Sequence, residues 1–254
     1  MSGLVEAAGT GVTGESIMNE IISKRKSVRK YDKTPLEIEI LDRVGVHITK
    51  LKPLFPDIRY SVEIVSKTKG LFNIKAPHYL VFRSEIKEGA YENTGFIGQQ
   101  MDLFLSGSGL GSCWLGASKP EGGEKTDLSP VACIAFGKPA EPLHRQISEF
   151  KRKSLPEISE GSDERLEAAR LAPSGMNAQG WYFIVDSGKI HCYCKKPGLV
   201  SKLISAKLGF IDIGIALCHI ARGASASSNT DDFIFGKEEG IPERKGYIYI
   251  GTVN

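Results

Sequence analysis

The chain has 254 residues, of which 41% are hydrophobic and 25% are charged, and its formal net charge is +3. This composition is typical of a globular protein with a full core, built as one large domain or two small ones. The charge is too small to indicate nucleic-acid binding, no apolar run reaches membrane-spanning length, and the five cysteines form no CxxC pair. We therefore expect a cytoplasmic protein with reduced thiols that binds neither nucleic acid nor a membrane.

The first segment of the chain, residues 1–17, is predicted to be a leader or a disordered tail. It is rich in Gly, Ala, Ser and Thr and lacks the cationic start and apolar core of a secretory signal. A helical pattern of apolar residues begins around Ile17 and Met18. The fold prediction therefore starts at residue 18.

From residue 18 onward the same order of elements occurs twice, which predicts two halves, residues 18–150 and 151–254. Each half has a basic segment, an amphipathic helix, a β-rich stretch, an apolar helix and a final strand that ends in glycine. The alignment places the apolar helix at Gly95 opposite the one at Gly209. Chance similarity between two α+β halves of low identity is the alternative. A true duplication predicts a pseudo-symmetric dimer within one chain. The predicted helices span 36–46 and 163–171, and the strands span 60–65, 181–185, 131–137 and 247–251.

Two polar motifs, one in each half, indicate a site for a phosphorylated aromatic cofactor. The first runs from Arg25 to Arg29, Arg-Lys-Ser-Val-Arg, and places two guanidinium groups and a hydroxyl where they suit a phosphate. The second runs from Pro173 to Gln179, Pro-Ser-Gly-Met-Asn-Ala-Gln. Its Ser, Asn and Gln side chains can donate and accept hydrogen bonds at the edge of a heterocycle. A helix-terminating turn would explain its proline and glycine but not its glutamine.

The third motif is the glycine-rich segment 109–116, Gly-Leu-Gly-Ser-Cys-Trp-Leu-Gly. Glycine is expected at a helix end, yet the apolar stretch from Cys113 to Ala117 can also lie against a flat ring. The segment is not a Gly-x-Gly-x-x-Gly fingerprint after a strand, so no Rossmann fold is predicted. The five histidines lack metal-ligand spacing, and no Walker loop, nucleophile elbow or Cys/His pair occurs. We therefore predict neither a metal site nor a catalytic side chain.

In this order the three motifs resemble the nitroreductase family of FMN-dependent oxidoreductases, and most closely its branch with two nitroreductase-like halves in one chain. The resemblance extends from Met18 to Asn254. It implies an α+β, nitroreductase-like fold, an internally duplicated pseudo-dimer with mixed sheets flanked by helices. It also implies FMN as cofactor, NADH or NADPH as electron donor, and a nitroaromatic, quinone or similar electron-poor small molecule as acceptor. The flavin would carry the chemistry, by ping-pong hydride transfer through its N5 atom.

The family pattern also implies which residues bind the cofactor. The first motif and two late cations are assigned to the phosphate, and the loop 173–179 and the segment 114–117 are assigned to the ring. The predicted cofactor-binding residues are Arg25, Lys26, Ser27, Arg29, Trp114, Leu115, Gly116, Ala117, Lys151, Lys153, Pro173, Ser174, Gly175, Met176, Asn177 and Gln179.

Each half departs from the family pattern where the other half matches it. Residues 51–57 replace the Pro-Ser-Asn-Gln loop in the first half, and only Lys153-Ser154-Leu155 stands for the phosphate motif in the second. These departures predict one composite site per chain, a decayed second site and a monomer. Three alternatives remain open: a flavin-binding or sensing protein without turnover, a flavin-fragmenting or dehalogenating enzyme of the same fold, and a duplicated interaction module.

Overall fold

A computed structural model describes residues 14–70, 74–116, 118–122, 126–197, 204–223 and 233–254. Residues 1–13 of the predicted leader and Ala117 of the predicted site lie outside the described residues. The helices are α1 (Gly14–Lys24), α2 (Ile38–Ile48), α3 (Ala90–Gly107), α4 (Leu155–Ile158), α5 (Arg165–Leu171) and α6 (Ile204–Gly223). The strands are β1 (Tyr60–Val65), β2 (Thr68–Gly70), β3 (His78–Ser84), β4 (Gly111–Leu115), β5 (Ser118–Pro120), β6 (Ser129–Gly137), β7 (Ser159–Glu160), β8 (Trp181–Asp186), β9 (Lys189–Lys195), β10 (Phe235–Gly236) and β11 (Tyr247–Val253).

Two main sheets carry the same strand order. The first has the order β1-β3-β6-β4, and the second has the order β8-β9-β11-β10 with β7 added beside β8. In the first sheet the edge strand β4 pairs with β6, which follows it in the sequence. In the second sheet the edge strand β10 likewise pairs with β11, which follows it. All pairs in the first sheet are antiparallel, whereas β7 and β8 pair in parallel. The fold is α+β as predicted, although only the second main sheet is mixed.

Local interactions explain why several helices begin away from their predicted positions. The α5 helix begins at Arg165 rather than at residue 163, because the Asp163 carboxylate accepts the Arg165 backbone N–H at 2.9 Å. The α3 helix begins at Ala90, five residues before Gly95, because Gly89 adopts a left-handed conformation with φ of 84° just before it. The α2 helix begins two residues later than predicted, and β1 spans its predicted residues.

The helices α3 and α6 cross at the centre of the molecule and form its most extensive contact between described helices. A Cβ atom on Gly95 would overlap with the carbonyl oxygen of Ile211, and one on Gly214 would overlap with that of Glu92. The two contacts are reciprocal, because each glycine lies against the carbonyl group three residues before the other glycine. Gly209, which the sequence alignment places opposite Gly95, lies elsewhere, near Cys194, and takes no part in this contact.

The main hydrophobic core is shared by both predicted halves. It contains Ile22 and Leu103 from the first, together with Trp181, Ile215 and Cys218 from the second. Because these side chains are buried against one another, each half covers apolar surface of the other. No helix in the described ranges is long and apolar enough to cross a membrane.

Candidate functional site

An open cavity of about 530 Å³ lies where the first motif meets the loop 173–179. Its volume is within the range of roughly 300 to 1,000 Å³ that is usual for small-molecule sites. Residues from both sides of the proposed division line it, so neither half contains it alone. We call it the outer cavity, and its lining residues are Lys26, Ser27, Arg29, Glu141, Arg145, Glu149, Lys151, Arg152, Pro173, Ser174, Met176 and Asn177.

A smaller cleft of about 140 Å³, the inner cleft, adjoins the outer cavity. The two share Ser27, Arg29, Pro173, Ser174 and Met176. The cleft is mainly apolar, whereas the outer cavity is lined by charged groups, so together they suit a molecule with an anionic end and a flat ring. The remaining residues of the inner cleft are Cys113, Trp114, Gly116, Gly175, Leu208, Ile211, Asp212 and Ile215.

The outer cavity is electrostatically positive, since its lining has five cationic and two acidic side chains. Burial, together with the charge of Arg25, lowers the pKa of Arg145 to about 10. Burial and the charge of Arg145 likewise lower the pKa of Arg152 to about 10. The guanidinium groups stay charged at neutral pH and repel one another, so a bound anion would relieve the repulsion.

Arg152 and Arg145 are the cationic wall residues that the predicted set omitted. The Arg152 Nη1 atom donates to Asn177 Oδ1 at 2.6 Å, while its buried Nε has no hydrogen-bond partner among the described residues. The Arg145 guanidinium lies 3.8 Å above the centre of the Phe150 ring. Arg152 lies between Lys151 and Lys153, both predicted to bind the cofactor, so its place in the sequence also indicated a cofactor-binding role. Arg145 lies outside all three motifs, so the sequence gave no indication of such a role for it.

The loop 173–179 has an unusual backbone. Met176, Asn177 and Gln179 have φ angles of 51°, 57° and 48°, a left-handed conformation that costs non-glycine residues about 1 kcal/mol or more each. Hydrogen bonds hold it there: Ser174 Oγ accepts the Gln179 N–H at 2.9 Å, and Gln179 Oε1 accepts the Lys153 N–H at 2.8 Å. Strain of this kind is characteristic of binding sites.

The structure brings most of the predicted residues to these two cavities and places four elsewhere. Leu115 is buried in a separate cluster with Val28. Lys153 donates from Nζ to the Gln179 backbone oxygen at 3.0 Å. This bond holds the end of the loop, and neither residue lines either of the two cavities. The fourth is Arg25. Those that line a cavity are Lys26, Ser27, Arg29, Trp114, Gly116, Lys151, Pro173, Ser174, Gly175, Met176 and Asn177.

Arg25 is buried behind the cavity wall, with 1% of its side chain exposed. Its Nε atom lies 2.9 Å from Oδ2 of the fully buried Asp102, and its Nη2 donates to Ser27 Oγ at 3.3 Å. The other Asp102 oxygen accepts the Ser112 hydroxyl at 2.5 Å. In this arrangement Arg25 positions Ser27, which does line the cavity.

A buried chain of hydrogen bonds fixes the Trp114 ring at the inner cleft. Trp114 Nε1 donates to Gln99 Oε1 at 3.1 Å, and Gln99 Nε2 lies 3.0 Å from His219 Nε2. Burial lowers the pKa of His219 to about 3, so its ring is neutral. Its Nδ1 donates to the Ala168 oxygen at 2.9 Å, which leaves Nε2 to accept from Gln99.

Asp212 is an acidic residue of the inner cleft that none of the three motifs contains. It lies on α6 with 5% exposure, and its Oδ1 accepts the Gly175 N–H at 2.9 Å. Burial raises the pKa of this carboxyl to about 7. Its position between Ile211 and Ile213 in an apolar helix was the available signal. Among the described residues no group of His, Cys, Asp and Glu could hold a metal ion.

Among solved structures, one similar protein is described as a putative nitroreductase from Thermotoga maritima. It is 19% identical with a TM-score of 0.64, and the match covers 100% of this chain and 98% of that one. A nitroreductase family protein from Clostridium difficile 630 is 18% identical with a TM-score of 0.45, over 55% of this chain and 94% of that one. No curated protein matches. The first similarity shows a shared nitroreductase fold. The family model described as "Putative TM nitroreductase" matches residues 17–224, and the chain therefore belongs to this nitroreductase family.

Proposed function

We propose that the protein is an FMN-dependent oxidoreductase. It would take electrons from NADH or NADPH and pass them to a nitroaromatic, quinone or similarly electron-poor acceptor in a ping-pong cycle. The observation that carries the proposal is the cation-lined outer cavity and the adjoining, mainly apolar inner cleft, which together are lined by residues of all three motifs. Membership in the nitroreductase family supports the same reaction class.

The residues present fit the phosphate of FMN. Arg29, Arg145 and Arg152 offer planar donors, and the Nε of Arg152 is buried without a hydrogen-bond partner among the described residues. Ser27 adds a neutral donor that Arg25 holds in place. These groups would bind and orient the anionic end of the cofactor.

The inner cleft fits the ring. Trp114, Ile211 and Ile215 form apolar walls that would exclude water, and the backbone of Gly175 allows close approach. When bound, FMN supplies two-electron hydride chemistry at its ring system. The protein's contribution is then placement, exclusion of water and control of nearby charge.

We further propose that the chain is a duplicated pseudo-dimer of residues 18–150 and 151–254 that acts as a monomer. The common strand order of the two sheets and the reciprocal contacts of Gly95 and Gly214 support this. Asn93 and Asp212 each lie two residues before one of these glycines. Each side chain accepts a backbone N–H from a loop that follows a proline. Asn93 does so for Leu54 at 2.8 Å, and Asp212 does so for Gly175.

The pseudo-equivalent of the inner cleft is filled by aromatic rings, which supports a single cofactor site. Phe96 directly follows Gly95, and Ile215 directly follows Gly214. Ile215 borders the inner cleft, whereas the buried Phe96 occupies the pseudo-equivalent position. Phe96 and Phe233 stack with ring centres 5.6 Å apart, and Phe235 lies 5.8 Å from Phe55. We call Phe55, Phe96, Phe233 and Phe235 the aromatic plug.

We expect the purified protein to bind one FMN per chain and to oxidise NADH or NADPH when a quinone or nitroaromatic is added. Absorbance spectra during titration with FMN give the stoichiometry, and acceptor-dependent loss of NAD(P)H absorbance gives the turnover. Absence of binding would refute the proposed function, and two FMN per chain would refute the single site. Binding without turnover would indicate a sensing protein instead.

Arg29→Gln is expected to weaken FMN binding by about tenfold to a hundredfold, because a hydrogen bond to a charged group contributes about 1.5–3 kcal/mol. Riboflavin, which lacks the phosphate, should bind wild type and variant alike. Arg59→Gln is the matched control, since it removes the same charge from an exposed residue paired with Asp127 away from the cavity. Equal losses for FMN and riboflavin would show that Arg29 does not bind the phosphate.

A further inference from the structure

Asp212 occupies a position where the fold requires only an uncharged acceptor. At the pseudo-equivalent position Asn93 Oδ1 accepts the N–H groups of Leu54 and Phe55, at 2.8 and 3.1 Å. Asp212 Oδ1 does the same for Gly175. An amide therefore suffices to hold such a loop, and the carboxyl at the inner cleft has no purely structural requirement.

The second oxygen of this carboxyl is available to a molecule in the cleft. Asp212 lines the inner cleft, and its Oδ2 accepts no hydrogen bond from any residue in the described ranges. No cation in those ranges forms an ion pair with it. A carboxyl in apolar surroundings without a counter-ion favours its protonated form.

The other titratable groups around Asp212 do not compete for its proton near neutral pH. Arg29 and Cys113 line the same cleft, and Cys194 of β9 faces the carboxyl from the sheet. Burial raises the pKa of Cys113 and raises that of Cys194 to about 12. The pKa of Asp212, by contrast, is raised by burial to about 7, where a general acid is most effective.

We propose that Asp212 is a catalytic proton donor to the electron acceptor that binds beside the cofactor ring at the inner cleft. This inference rests on the proposed oxidoreductase function. Reduction of a quinone to a hydroquinone takes up two electrons and two protons, and the hydride that reduced FMN would supply carries both electrons and one proton. The Asp212 Oδ2–H bond breaks, an O–H bond forms on the acceptor oxygen, and the carboxylate regains a proton from water through the outer cavity.

Asp212→Asn tests this role, because asparagine can hold Gly175 as Asn93 holds its loop. With pre-reduced protein, we expect quinone reduction to slow by about a hundredfold and to lose its pH dependence around neutrality. Ferricyanide accepts one electron without a proton, so the ratio of the quinone rate to the ferricyanide rate should fall by about the same factor. Asn93→Ala is the matched control, since it loosens the other loop and should leave the ratio of quinone to ferricyanide rates as in wild type.

A second readout uses the protein without FMN. An aspartate in an unfolded chain has a pKa of about 3.9, and that of folded Asp212 is raised. Its contribution to stability is therefore fully present below pH 4 and is lost as the pH rises through about 7. Urea unfolding should show the folding equilibrium constant of wild type falling relative to Asp212→Asn by up to about tenfold per pH unit between these values.

The two readouts separate the possible failures. Equal slowing of both acceptors in Asp212→Asn would overturn proton donation and leave Asp212 as a positioning residue. Identical pH profiles of unfolding for wild type and variant would overturn it as well, because Asp212 would then hold no proton near neutrality. If wild type binds no FMN, the proposed function fails together with the donor role, while the unfolding profile still reports whether Asp212 titrates.

Discussion

Gly95→Ala should lower the free energy of unfolding by about 3 kcal/mol, at the upper end of the range for overpacked cores. The added Cβ would overlap with the carbonyl oxygen of Ile211, a backbone atom that cannot turn aside as a side chain can. The helices α3 and α6 would have to separate, which would also displace the residues of α6 that line the inner cleft. Urea denaturation followed by circular dichroism measures the loss.

The control for this substitution is Gly45→Ala. A Cβ on Gly45 in α2 would meet no atom within 4 Å. Alanine is a better helix former than glycine, so this variant should be as stable as wild type or up to about 1 kcal/mol more stable. Wild-type stability of Gly95→Ala would show that the close crossing of α3 and α6 is not required.

Asp102→Ala is expected to cost about 3–5 kcal/mol of unfolding free energy, because it leaves a buried charge on Arg25 without a partner. It also removes the acceptor of the Ser112 hydroxyl and a partner of Gln99. Through Arg25 the loss reaches Ser27 at the cavity. We therefore expect a lower midpoint in urea and weaker FMN binding in the fraction that folds.

Glu167→Ala provides the comparison, since it breaks the more exposed pair with Arg170 within α5. Exposed ion pairs contribute about 1 kcal/mol or less, so its midpoint should barely move. The pair of Arg25→Met and Asp102→Leu, introduced together, should recover much of the stability because no unpaired charge is left. Equal midpoints for Asp102→Ala and Glu167→Ala would contradict the importance of the buried pair.

Much of the secondary structure could be predicted from local sequence patterns. The strand β1 agrees with its prediction because alternation and flanking breakers are local signals. The α5 boundary differs because the Asp163 side chain competes for the backbone N–H of Arg165. The reciprocal contact of Gly95 and Gly214 could not be predicted, since it depends on where two helices touch in space.

The candidate site shows the same division between local and tertiary information. Ser27 and Arg29 of the first motif line the cavity, but Arg25 in the same motif is buried against Asp102, which is 77 positions away in the sequence. Arg145 belongs to an irregular segment without a motif and reaches the cavity only through the fold. In the sequence Asp212 is one acidic residue in an apolar helix, and only the fold shows that it lines the inner cleft.

The aromatic plug can offset the loss of stability that an open binding site causes. The outer cavity exposes repelling cations and strained backbone, and this lowers the stability of the molecule. In the proposed duplication, Phe55, Phe96, Phe233 and Phe235 fill the equivalent space, and they bury apolar surface and gain ring-to-ring contacts. A symmetric homodimer cannot make this exchange, because identical chains must keep both clefts alike. A single chain whose two halves vary independently can keep one composite site open for binding and fill the other to gain stability.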